Sequence, residues 1–120
     1  MLIPRSSPTA PGKGTLILIM DAQTVDETKS TVVAPSPSIK NHTFTIKASA
    51  AITGALQLET SDDWEYTGVW SPLGGGPIDL STLGAGELQL NFSQIAAPFL
   101  RARISTVVAG GTVSVSYVGN

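Results

Sequence analysis

His42-Thr43-Phe44-Thr45-Ile46-Lys47-Ala48-Ser49 decides the fold class. Phe44, Ile46 and Ala48 fall on one side of an extended chain, and Thr43, Thr45 and Lys47 on the other. Strict period two with β-branched residues on the polar side predicts a half-buried strand. His42 shares the parity of Phe44 and Ile46 and is read as capping the strand end.

The same alternation recurs on both sides of this stretch. Leu56 and Leu58 oppose Gln57 and Glu59, with Ile52 starting that apolar face across a break at Thr53-Gly54. Leu88, Leu90 and Phe92 oppose Glu87, Gln89 and Asn91. Leu100, Ala102 and Ile104 oppose Arg101, Arg103 and Ser105. Val113, Val115 and Tyr117 oppose Thr112, Ser114 and Ser116. Residues 15–21, TLILIMD, are apolar on both alternations, which predicts a strand covered on both faces. Shorter strands are expected at 29–34, 68–73 and 78–81, while Pro35 and Pro37 make 34–41 an extended connection. The best helical candidate, 93–99, is stopped by Pro98 within about one turn.

About seven to nine strands without a helix predict an all-β, single-domain antiparallel β-sandwich. Long connections at 21–28, 34–41 and 60–68, combined with a tight hairpin at Gly110-Gly111, favour a Greek-key or jelly-roll order over a meander. The sandwich is expected to span 15–120. Residues 1–14, MLIPRSSPTAPGKG, have little to bury and read as a flexible N-terminal arm.

Composition narrows the functional classes. Charged residues make up 13% of the 120, roughly half the usual share, so a surface partly covered by neighbours is one expectation and a Thr/Ser-rich exposed face the other. A net charge of −2 supplies no basic footprint for nucleic acid. The absence of cysteine excludes disulfides and thiolate metal sites. The longest apolar run, 16–20, is too short for a membrane span or a signal peptide, and the chain reads as a complete small gene product.

Catalysis finds few candidates. His42 is the only histidine, no GxSxG elbow accompanies it, and Gly74-Gly75-Gly76-Pro77 lacks the lysine and helix of a phosphate loop. The chain is expected to be no enzyme and to need no cofactor or metal. The stretch 59–70, ETSDDWEYTGVW, concentrates both tryptophans with Tyr66 and four carboxylates. Asp62, Asp63 and Glu65 could offer oxygens to calcium, and Trp64, Tyr66 and Trp70 could form a stacking platform for sugar or a partner surface. The favoured reading is a side-chain-stabilised turn, with Trp64 or Trp70 capping one end of the core. Arg101 and Arg103 project from one strand face. They are expected either to pair with Glu87 or Glu59 as surface ion pairs or to meet carboxylates on another protein.

The succession LQLETSDD (Leu56–Asp63), WSPL (Trp70–Leu73), FLRARI (Phe99–Ile104) and GGTVSV (Gly110–Val115) resembles small β-sandwich accessory proteins of tailed bacteriophage virions. These are capsid decoration (cement) proteins and related head or tail appendage domains. The resemblance covers about two thirds of the chain and leaves out the N-terminal arm. It implies a structural virion protein that binds and stabilises the major capsid protein lattice, self-associates as a trimer or dimer, and sits on the capsid surface after assembly in the host cytoplasm. Candidate partner-binding residues are then Arg5, Trp64, Tyr66, Trp70, Arg101 and Arg103. The same succession occurs in jelly-roll carbohydrate-binding modules, so a glycan-binding or host-attachment appendage is the alternative, with a tail tube or tip subunit behind it. The insert WEYTGVW departs from both patterns and weakens transfer of a binding site residue by residue.

Overall fold

The structure is a computed structural model that describes residues 10–25, 31–62, 69–74, 76–94 and 97–120. Among the described residues eight strands form in order: β1 (Ile17–Gln23), β2 (His42–Ala48), β3 (Thr53–Ser61), β4 (Ser71–Pro72), β5 (Ile78–Asp79), β6 (Glu87–Phe92), β7 (Phe99–Ala109) and β8 (Val113–Gly119). A single 3-10 turn, Leu80–Thr82, follows β5, and the Asp79 carboxylate accepts from the Ser81 N–H at its start.

One sheet has the order β1-β8-β2-β6, antiparallel throughout. In the second, β3 lies between β7 on one side and the short β4 and β5 on the other. Val33 bridges Leu100 on the far side of β7, with both backbone bonds at 2.8 Å. With that bridge, the Val33 segment, β7, β3 and β4/β5 stack against β1-β8-β2-β6 in jelly-roll order. The chain is an all-β sandwich.

The alternations place the core as expected. Phe44 and Ile46 from β2, Leu56 and Leu58 from β3, Leu100, Ala102 and Ile104 from β7, and Val113, Val115 and Tyr117 from β8 are buried between the sheets. Phe44 packs edge-on against Phe92 and tilted against Tyr117. A one-residue slip in any of these strands would turn its apolar row to water, so the pattern fixes the register.

Three expectations change. β1 is not covered on both faces: Ile19 and Met20 are buried, but Leu16 and Leu18 are exposed. β1 is an edge strand whose pairing with β8 shifts between Leu18 and Met20 and again between Met20 and Gln23, which breaks the alternation. The 29–34 strand shrinks, within its described part, to the Val33 bridge, beside buried Val32. Gly110-Gly111 does not close a hairpin. It carries the chain from β7 in one sheet to β8 in the other, and Thr112 instead exchanges bonds with Ser49.

The break at Thr53-Gly54 is a shift in the β3–β7 register, between Thr53 and Leu56. Gly54 has φ +118, and a Cβ there would stand 2.8 Å from the Val107 carbonyl oxygen, so only glycine fits. Of the segment read as an arm, residues 1–9 lie outside the described residues. Pro11 is buried, and the Gly14 N–H donates to the Gly119 carbonyl at 2.8 Å.

Candidate functional site

β3 and β7 form the longest ladder in the molecule, and their outward alternations meet residue by residue. Glu59 lies directly opposite Arg101, and Gln57 opposite Arg103. Each core-facing neighbour (Leu58, Ala102) locks the strand that carries them.

Glu59 is the hub. Its Oε1 accepts from Arg101 Nε at 2.6 Å, is approached by Arg101 Nη2 at 2.6 Å, and accepts from Arg103 Nε at 3.3 Å. Its Oε2 accepts from Gln57 Nε2 at 2.5 Å. Two oxygens therefore serve three side chains, close to the capacity of a carboxylate. The expected pairing of both arginines with Glu59 is present, while Glu87 pairs with Lys47. The cluster differs from the expected surface ion pair in depth. The Glu59 and Arg101 side chains are only 4% and 8% exposed, and Arg103 is 32% exposed. Desolvated charges need full hydrogen bonding to persist, and the geometry supplies it for Glu59.

Trp70 completes the face. Its ring lies over the Arg101 guanidinium, 4.4 Å from Cζ to centroid. This position is set by the chain on both sides of the ring. Ser61 Oγ donates to the Val69 carbonyl at 2.6 Å, and β4 pairs Ser71 with Thr60 and Pro72 with Glu59. Trp70 is thus on the outer face over Arg101, which corrects the Trp70 alternative of the core-capping reading. Pro72 is tolerated because β4 is a short edge strand. Trp64, Tyr66 and Arg5 lie outside the described residues, as do Asp63 and Glu65 of the calcium reading; Asp62 is exposed. Sequence reasoning missed Gln57 and Ser61 as members of the cluster. Their shared parity with Glu59 was the available signal.

The other candidate groups offer less. His42 is buried, and its Nδ1 is 2.7 Å from the Tyr117 hydroxyl, with the rings stacked. Burial pushes the Tyr117 hydroxyl up to about 12. Neither group faces solvent, so this pair fastens β2 to β8. No cluster of three or more metal-ligating side chains occurs among the described residues. Two clefts are lined mainly by apolar atoms. One, of about 300 Å³, lies between Leu58, Leu73 and Ile78 on one sheet and Leu90 and Phe92 on the other. The second, of about 210 Å³, is bounded by Pro35, Pro37, Ile39, Ala97 and Pro98. Neither lining sets an acid beside a base.

No protein-family model matches this chain, and no curated protein sequence matches it. The Glu59–Arg101–Arg103 face with Trp70 is the best-defined candidate surface in the described residues. It can hold planar anionic groups and lend a flat aromatic contact.

Proposed function

We propose that the chain is a non-enzymatic structural module that adheres through the outer face of the β3–β7 sheet. Within that class, we propose a capsid decoration protein of a bacteriophage virion, bound to the major capsid protein lattice. The observation that carries the adhesive reading is the Trp70–Arg101–Arg103 array, held rigid from beneath by Glu59 and Gln57. Exposed Val69 beside Trp70 and exposed Val107 further along β7 add apolar area. Tryptophan and arginine with apolar neighbours are what protein interfaces favour at their centres. The virion assignment rests on the sequence resemblance, and jelly-roll architecture is consistent with it, because capsid and lectin domains both use that order.

Weak contacts suffice on a repeating lattice, where each bound copy is reinforced by its neighbours. Mixing the purified protein with undecorated capsids is expected to give saturable, stoichiometric binding and capsids more resistant to heat. Failure of both overturns the assignment.

The second reading is glycan binding, favoured by Trp70 standing half-buried over Arg101 on a sheet face. It predicts that Trp64→Ala, Tyr66→Ala and Trp70→Ala together abolish retention on a glycan column without affecting capsid association.

A further inference from the structure

We infer that Arg103 is the anchor of this face and takes a carboxylate from an acidic side chain of the partner protein. The inference rests on reading the face as a docking surface and adds the chemistry of what docks.

The two arginines differ in what they have left to offer. Arg101 is buried and directs both Nε and Nη2 at Glu59 beneath the Trp70 ring. Arg103 gives Glu59 only its Nε, at 3.3 Å, and its Nη1 and Nη2 have no hydrogen-bond partner among the described residues. Its side chain is one-third exposed, so those N–H groups are within reach of a second molecule. Glu59 cannot turn to satisfy them, because Arg101 and Gln57 already hold its two oxygens. The bond at Nε orients the guanidinium plane in advance, so less freedom is lost when the outer edge is occupied.

A second observation points to the same place. Ser105 is the next residue on the alternation that carries Arg101 and Arg103, and its Oγ is buried without a hydrogen-bond partner. A buried hydroxyl in that condition calls for a partner. Ser105 thus leaves a second polar group unsatisfied on the Arg103 side of β7.

The outer edge of a guanidinium matches the two oxygens of a planar carboxylate. A phosphate can also meet a guanidinium edge, so the two anions are separated by the test below. A protein source is favoured over a sugar acid because exposed Val69 and Val107 offer apolar contact to a wide surface.

The test follows, by NMR at constant ionic strength, the backbone amide signals of residues 101–105 and the arginine side-chain N–H signals of the isotope-labelled protein. The probes are a capped tetraglutamate peptide, its tetraglutamine counterpart and inorganic phosphate. Arg103 signals are expected to move saturably with tetraglutamate, at millimolar Kd, at least about fivefold tighter than with phosphate, and not with tetraglutamine. At the backbone amides, Arg103→Gln is expected to abolish the response, and Arg103→Lys, which keeps the charge without the fork, to weaken it about tenfold. Equal responses to the glutamate and glutamine peptides, tighter binding of phosphate, or an unchanged response in Arg103→Gln would each overturn the inference. An unaltered Arg103→Lys response overturns it too, should the glutamine variant not fold. Capsid binding separates this from the broader reading. If wild type binds capsids and Arg103→Gln binds them equally well, the anchor falls and the docking role stands. If wild type ignores capsids yet answers tetraglutamate, the anchor stands and the capsid assignment falls.

Discussion

Among the described residues each sheet has one directly opposed cross-strand ion pair on its outer face, and the two pairs behave as different objects. Lys47 and Glu87 face each other across β2 and β6 at 3.8 Å, with side chains 64% and 55% exposed. Glu59 and Arg101 face each other across β3 and β7 at 2.6 Å, with side chains 4% and 8% exposed. The backbone geometry of the two pairings is equivalent. What separates them is solvent. The first pair keeps its hydration and is worth little. The second has given up its water and must be compensated by Arg103, Gln57 and Trp70. A buried ion pair is weak evidence for stability, since an apolar pair of similar volume often does as well. A face that accepts such a cluster is therefore better explained by what it presents than by what it adds to the fold.

The contrast can be broken experimentally. Glu59→Ala leaves two neighbouring guanidinium groups, one of them buried, without their shared carboxylate. A loss of about 3–5 kcal/mol in urea denaturation is expected, much of it recovered when Arg101 is also replaced by methionine. A loss below about 1 kcal/mol would put this pair in the same class as Lys47–Glu87.

The first sheet keeps its buried polar contact on the inner side instead, between His42 and Tyr117. Tyr117→Phe removes that contact and is expected to cost about 1–2 kcal/mol. The folded state holds the Tyr117 proton more tightly than the unfolded chain does. Its contribution is therefore complete below pH 10 and lost as pH rises toward about 12. Alkaline unfolding curves of wild type and the phenylalanine variant should converge over that window. Smallest of all, Lys47→Ala should change stability by less than about 0.5 kcal/mol, and less still in high salt.

The strands with one wet face were legible because their side chains sort themselves by period two. β2, β6 and β8 have the alternations the sequence implies, and so does β3 from Leu56 onward. β1 was not, because an edge strand with two register shifts can leave Leu16 and Leu18 in solvent where a central strand would cover them. Gly110-Gly111 was misread for a different reason. Turn chemistry is local, whereas the choice of pairing partner belongs to the whole chain, and β8 had better partners in β1 and β2 than in β7. At the candidate site, parity showed which side of β7 the arginines occupy and made Glu59 an available partner. Their depth depends on how Trp70 returns over the sheet after Ser61, and no spacing rule encodes that. The readings placed on Arg5, Trp64 and Tyr66 fall outside the described residues.

The pairing of β1 with β8, the one strand it joins among the described residues, has a consequence for biosynthesis. Residues 17–23 leave the ribosome well before their strand partner, residues 113–119, has been made. Until then Leu18, Ile19 and Met20 lack that partner, although the Thr31 N–H is already able to reach the Ile19 carbonyl. A nascent chain arrested at any earlier point should be a substrate for chaperones, and closure of the sandwich should come as a single late event.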